Sequence, residues 1–312
     1  MIDVTIAICT YNRAGSLADT LEHLCRQQDV STPAWELLLI DNNCTDHTKQ
    51  VAARFKAHLP LRYLVETNQG LSHGRNRALR EARGDLLIYT DDDVRPVPRW
   101  LSAYAEACHR YPDAEYFGGR ILPWWPEGKP GWVRDINMPL LAGLFGTYDL
   151  GEHNHWYAPG EMHPFGANFA LRRSLFERLE PFRIDLGVVG SVPGRGEEAE
   201  YFGRVQAAGI RGVYVPEATV LHRVDPGHLT LCYLYRYGEQ KGIASRTIHG
   251  GTATQGPFTD GAYLAKGLWQ LAKGRGDQFR QCIINMGIGR GGRSKMAQPN
   301  RNTRHLEDPG QR

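Results

Sequence analysis

The sequence predicts an α/β fold: a mostly parallel sheet with helices on both faces. Three observations carry this. Strand-like and helix-like periodicities alternate through the first hundred residues. The repeating βα units have the length that joins neighbouring parallel strands by a crossover helix. A chain of 312 residues with 41% apolar and 23% charged side chains can bury a large core in ordinary globular proportions.

Val4 to Cys9 reads as a buried strand. Ala14 to Gln28 follows as an amphipathic helix with Leu17, Leu21, Leu24 and Cys25 on one face. Trp35 to Ile40 is the second strand, and Thr45 is placed to cap a helix running to about His58. Leu61 to Val65 is the third strand, Gly70 to Arg83 a strongly basic helix, and Leu86 to Thr90 the fourth strand. Helical patterns return at Leu229 to Ile248 and Ala262 to Lys273. From Gly289 the chain is rich in Gly, Arg, Asn and Pro and reads as disordered. The expected division is a catalytic domain over 1–225, with halves 1–95 and 96–225, a helical extension over 226–290 and a basic tail over 291–312.

No apolar run approaches the ~18–20 residues of a membrane-spanning helix. The start lacks a basic leader segment and enters a strand pattern directly, and the six cysteines form no CxxC pair. These features predict a cytoplasmic protein with reduced thiols. Ten Lys/Arg against four Asp/Glu lie between Asp260 and Arg312, although the whole chain carries only +3. Such a surplus points to an acidic partner surface. A nucleic acid is not expected, because no interleaved aromatics or recognised module accompany the charge. The basic helix at 262–273 reads first as a helix packed on the catalytic domain with its cations outward, and the alternative is peripheral attachment to the inner face of a membrane.

In open α/β sheets, ligands bind outside the carboxyl ends of the strands. Here those ends carry Thr10-Tyr11-Asn12-Arg13, Asp41-Asn42-Asn43, Glu66-Thr67-Asn68-Gln69-Gly70 and Asp91-Asp92-Asp93. Three adjacent carboxylates repel one another, and either a bound divalent cation or the solvated start of a helix would relieve them. No Gly-rich dinucleotide fingerprint follows the first strand and no GxxxxGK[ST] occurs, which disfavours a nicotinamide oxidoreductase and a P-loop NTPase.

The motifs Thr10-Tyr11-Asn12-Arg13, Asp41 to Asp46, Asn68-Gln69-Gly70 with Arg75-Asn76, Asp91 to Asp93, Gly166 to Arg173 and Gly196 to Phe202 occur in an order that resembles an inverting family 2 glycosyltransferase of the GT-A fold. The resemblance runs from about residue 3 to 225. It implies a Rossmann-like sheet, a nucleotide-sugar donor of UDP type, a hydroxyl acceptor (a glycan, a lipid-linked or a small molecule) and a divalent cation, Mn2+ or Mg2+. By the same resemblance Asp93 is a metal ligand, with Asp91 and His222 beside it. Asp91 alternatively holds the ribose, and Asp92 either lies with the nucleotide or points into the fold. Thr10, Tyr11, Asn12, Arg13, Asp41, Asn68 and Arg75 are expected around the nucleotide. Glu198 aligns with the general base, with Glu197 as second choice because the family usually carries Asp there. Trp124, Trp125 and Asn168 are expected on the acceptor side, and the glycine-rich run 187–194 as a loop that orders when donor binds. The alternatives are a nucleotidyltransferase, whose phosphate loop is missing after the first strand, and a silent GT-A-fold glycan-binding or scaffold protein, which the retained acids argue against.

Overall fold

The computed structural model describes residues 3–28, 34–134, 139–190, 196–250 and 260–293. In chain order the elements are β1 (Val4–Thr10), α1 (Ala14–Leu24), β2 (Trp35–Asp41), α2 (Thr48–Phe55), β3 (Leu61–Val65), α3 (Leu71–Glu81), β4 (Leu86–Thr90), β5 (Val94–Pro96), α4 (Trp100–Arg110), β6 (Tyr116–Trp124), α5 (Pro139–Phe145), β7 (His155–Trp156), β8 (Asn168–Arg172), α6 (Arg173–Phe176), α7 (Glu197–Ala207), β9 (Gly212–Arg223), α8 (Leu231–His249), α9 (Asp260–Ala272) and α10 (Gly276–Arg293).

The strands form one sheet in the order β3-β2-β1-β4-β8-β6-β9-β5, with β7 paired to β9. The β3-β2-β1-β4 half is parallel. β8 then enters antiparallel to both β4 and β6, and β6 runs parallel to β9. Alternation along each strand sends side chains to opposite faces. Ile6 and Ile8 of β1 pack with Leu17, Leu21 and Leu24 of α1, Phe55 of α2 and Trp100 and Tyr104 of α4. Ala7 of the same strand faces the other core, with Ala78 of α3 and Tyr201, Phe202 and Val205 of α7. A third, smaller core joins Phe145 of α5 to Leu234 and Tyr237 of α8 and Ile284 of α10.

The register explains why the polar strand ends converge. Thr10 stands opposite Asp41 on β2, and Ile8 stands opposite Thr90, the residue before Asp91. β5 pairs antiparallel with β9 so that Val94 faces His222, which carries that imidazole to the aspartates.

Several expectations shift. The first helix ends at Leu24, not Gln28. The start of α2 is held by Asp46, not Thr45: its carboxylate accepts from the Thr48 amide at 3.1 Å and the Thr48 hydroxyl at 2.6 Å. The largest correction concerns the C-terminus, where the expected disordered tail begins at 291. A helix continues to Arg293, and Gly291 and Gly292 are buried in it. Glycine reads as a helix breaker in sequence, but here it serves close approach. A Cβ on Gly287 or Gly291 would strike the carbonyl oxygens of Tyr235 and Glu239, and one on Gly238 or Gly242 would strike those of Ile284 and Ile288. The two helices therefore pack almost backbone to backbone. Residues 191–195 of the expected donor-ordered loop and 294–312 of the expected tail lie outside the described residues.

Candidate active site

The strand ends build an acidic rim with one buried anchor. Asp92 is buried, accepting from the Thr10 hydroxyl at 2.7 Å and pairing with the Arg13 guanidinium at 3.1 Å. Burial pushes its carboxyl up to about 7 against the pull of Arg13. Asp92 thus points into the fold, and Thr10 holds it there. Arg13 also reaches Asp93, at 2.7 Å. Asp91 is raised by burial and then by the charge of Asp93.

Asp91, Asp93 and His222 each offer a ligand atom, and these atoms lie within 4.8 Å of one another. The His222 Nε2 is 3.6 Å from Asp93 Oδ1, while its buried Nδ1 has no hydrogen-bond partner. Gly146, at φ +68°, lets the ring sit there, because a Cβ would come within 2.9 Å of Nδ1. Two carboxylates and an imidazole fit a divalent ion with mixed oxygen and nitrogen preference. A roughly 340 Å³ cleft opens beside the group, lined by Arg13, Asp93, Arg223, Asp225, His228 and the first turn of α1. The sequence reading did not assign Arg223, Asp225 and His228 to the site. Their only signal was position just after His222, at the end of β9.

The expected nucleotide residues divide in two. Asp41 is buried with both oxygens engaged, one by the Cys44 amide at 2.6 Å and the other by the Tyr63 hydroxyl. It fixes the turn after β2 while retaining lone pairs for a further donor. Asn12, at φ +51°, accepts from the Thr45 amide at 2.7 Å, which ties the β1 and β2 turns together. Asn68 is held through its backbone by Glu66 and Asn42. Asn42 also accepts from the Gly70 amide at 2.7 Å, and so locks the β2 and β3 turns to the start of α3. The Tyr11 ring lies against Gly190.

Arg75 departs furthest from expectation. It is buried, only 3% exposed, under the site instead of at its surface. Its guanidinium contacts Glu197 at 2.7 Å and Glu198 at 3.8 Å and also feels the charge of Asp91. Of the other arginines in the expected helix, Arg77 pairs with Glu81 and the exposed Arg80 with the buried Glu66, while Arg83 lies beyond the end of α3 and is exposed. One buried cation thus serves two adjacent carboxyls. Burial, then the charge of Glu198, pushes Glu197 up to about 8. Burial also raises Glu198, but Arg75 and then Glu197 outweigh it and hold Glu198 down to about 2. Glu197 is locked against Arg75, whereas Glu198 is partly exposed and its Oε2 has no hydrogen-bond partner.

The acceptor-side expectations fare unevenly. Asn168 is fully buried. Its oxygen accepts from Trp100 Nε1 and the Tyr104 hydroxyl, both at 2.8 Å, and its nitrogen donates to the carbonyls of Arg120 and Ala218. Every polar group it has is spent inside the core, so it is a structural knot and not an acceptor contact. Trp125 packs edge-on against Phe145 and covers the third core. Trp124, at the end of β6, is stacked under the Arg95 guanidinium at 3.3 Å.

The sequence model described as glycosyl transferase family 2 matches residues 5–180. A glucosyl-dolichyl phosphate glucuronosyltransferase of Haloferax volcanii is 23% identical over 224 residues, 71% of this chain and 69% of that one. A glycosyltransferase of Bacillus subtilis and a chondroitin synthase of Escherichia coli are 35% and 31% identical over 33% of this chain, stretches that cover 26% and 15% of their lengths. Among solved structures, a mannosyltransferase from Pyrobaculum calidifontis in complex with GDP-Man and Mn2+ superposes with a TM-score of 0.60 at 20% identity, covering 92% of this chain and 86% of that one. The S. aureus protein TarS, residues 1–349 in complex with UDP, superposes at 0.55 with 14% identity, covering 90% of each chain. The fold is that of GT-A glycosyltransferases.

Proposed function

The chain belongs to glycosyl transferase family 2, and from that premise we propose that it transfers a sugar, with inversion, from a nucleotide-sugar donor of UDP type to a hydroxyl acceptor in polysaccharide, glycolipid or related glycoconjugate synthesis. One observation supports this reading: buried Arg75 contacts the carboxylate of Glu198 at 3.8 Å and also feels the charge of Asp91, which belongs to the rim with Asp93 and His222, so that rim and carboxylate are linked through one cation. Inverting transfer needs those two features, one to hold the leaving diphosphate and one to take a proton on the opposite side of the sugar.

In the proposed reaction Glu198 accepts the acceptor's hydroxyl proton as that oxygen bonds the anomeric carbon. The anomeric carbon–oxygen bond to the diphosphate breaks, and its electron pair leaves with the phosphate oxygen. Asp91, Asp93 and His222 would hold the divalent cation, which supplies charge to offset that leaving group. The His ligand favours Mn2+ over Mg2+, which prefers all-oxygen sites. Arg13 and the first turn of α1, whose positive dipole end opens on the cleft, face the same negative charge. In this reading Asp41 would accept from a ring N–H of the base, and Tyr11 would cover it. Glu198 is taken as the base in preference to Glu197 because its side chain is 26% exposed and only loosely held by Arg75, whereas that of Glu197 is 5% exposed and paired with Arg75 at 2.7 Å.

The test is release of nucleoside diphosphate from a panel of UDP- and GDP-sugars, with and without Mn2+. Turnover of UDP-sugars that is stimulated by Mn2+ and abolished in Asp93→Ala supports the reading. Turnover of GDP-sugars alone would overturn the donor assignment, and an Asp93→Ala variant as active as the wild type would overturn the metal assignment.

A further inference from the structure

Around α9 the side chains fall into four lengthwise stripes. Tyr263, Gly267 and Gln270, spaced i, i+4 and i+7, are buried, and Gly267 packs against Phe279 and Cys282 of α10. The next stripe is Leu264, Leu268 and Leu271, exposed by 42%, 53% and 47%. Beside it come Ala265, Trp269 and Ala272, with Trp269 exposed by 54%. The fourth stripe is Lys266 and Lys273, both exposed. A helix resting on a core normally shows solvent a polar face. This one completes its contact with α10 and then presents a second apolar face outward.

That exposure is concentrated. Of the ten large apolar side chains exposed among the described residues, four lie within these eight positions of α9. The rim is cationic throughout. Lys273 lays its ammonium 3.5 Å from the centre of the Trp269 ring, Arg275 is exposed just past the helix, and Arg134 approaches Gly274. No acid lies between Asp260 and the buried Asp277. Arg280, seven residues beyond Lys273, belongs elsewhere: it stacks on Trp132 at 3.9 Å and does not extend this cationic stripe.

We propose that α9 is a membrane-docking helix that lies on an anionic lipid bilayer. Leu264, Leu268, Leu271 and Trp269 enter the headgroup–acyl boundary while Lys266, Lys273 and Arg275 stay at the phosphate level. A tryptophan flanked by lysines suits that boundary, where one end of the side chain is apolar and the surroundings are wet and negative. Other occupants fit less well. A second copy packed face to face would oppose like-charged rims. Residues 294–312 carry four cations against two acids, with Met296 and Leu306 as their only large apolar side chains. They share the rim's sign and offer little to cover four large groups. The proposal stands apart from the catalytic reading, since none of these residues belongs to the rim or the Arg75 group.

The experiment is flotation of the full chain with vesicles of phosphatidylcholine alone or with about 30 mol% phosphatidylglycerol, at low and high salt. The wild type should float with the anionic vesicles and lose binding as salt rises. Leu268→Ser with Trp269→Ser should lower the partition coefficient about tenfold. Lys266→Glu with Lys273→Glu should remove the preference for phosphatidylglycerol, and both double variants should keep the wild-type melting temperature. Wild type that stays in the aqueous phase, or variants that partition like it, would overturn the proposal. So would light scattering that shows a wild-type dimer turned monomeric by Leu268→Ser with Trp269→Ser, which makes the face an interface between copies. Binding that appears only after truncation beyond Arg293 would assign the face to the chain's own tail, and would equally overturn it.

Discussion

Glu197 and Glu198 differ by one position and by which of them Arg75 holds tightly. Glu198→Gln replaces the proposed base by a carboxamide too weakly basic to take the acceptor proton, so kcat should fall by about 10²–10⁴ while donor affinity persists. Glu197→Gln should fall far less, and a Glu197 variant that is equally dead would move the base by one residue. The same pair sets a stability profile. Glu197, raised from 4.5 to about 8, keeps its proton in the native state after the unfolded chain has lost it, so its contribution falls as pH rises from about 4.5 to 8. Glu198, lowered to about 2, contributes stability above the unfolded value that is lost as pH falls from 4.5 to 2. Melting temperatures of wild type and Glu197→Gln between pH 5 and 8 check this: the decline should flatten in the variant. Arg75→Met leaves two buried carboxyls without their cation and should cost about 3–5 kcal/mol in denaturant unfolding. The acids at the strand ends were legible in the sequence because strand register alone brings Thr10, Asp41 and Asp91 together. The place of Arg75 was not. Four arginines on one basic helix look alike until packing decides which one turns inward, and here Gly166 leaves the room that Arg75 fills.

At the scale of elements, Asn168 shows how one side chain joins several. Its carboxamide links β8 to α4, β6 and the β9 strand, so Asn168→Ala would strand the Trp100 N–H and two carbonyls. Each buried group left unpaired costs about 1–3 kcal/mol, and a clear drop in unfolding free energy is expected. The α8–α10 pair makes a different prediction. Gly287→Ala places a methyl group into the Tyr235 carbonyl, against backbone that cannot swing away. It should destabilise the C-terminal helices by about 1–3 kcal/mol through overpacking, despite alanine's better helix propensity. Denaturant titration reads the sign directly, because an isolated helix would be stabilised by the same change. This explains why the end of the chain was illegible. Propensity and composition treat glycine as a breaker, and only the partner helix reveals it as a contact surface. Trp125 was ambiguous for a related reason, since nothing local distinguishes an aromatic that stacks on a sugar from one that covers Phe145.

For the molecule as a whole, the sheet brings together groups far apart in the chain: Arg13 from β1's end, Asp93 after β4 and His222 in β9. Arg13 and a divalent cation would share one carboxylate, and both would face the diphosphate of a bound nucleotide. Binding of metal and nucleotide should therefore be coupled, and coupling between binding free energies is reciprocal. In thermal melts, Mn2+ alone and UDP alone should each raise the melting temperature modestly, and the two together by more than their sum, because a ligand stabilises in proportion to its occupancy of the native state. Asp93→Ala should reduce the combined shift to that of UDP alone. Arg13→Gln should weaken the nucleotide shift while leaving Mn2+ binding intact or improved, since Asp93 loses its competing cation. Strictly additive shifts in the wild type would mean that the metal and the diphosphate do not meet at this rim. The fold would then hold the two ligands in separate places, and the Asp91–Asp93–His222 group would have to be read as structural.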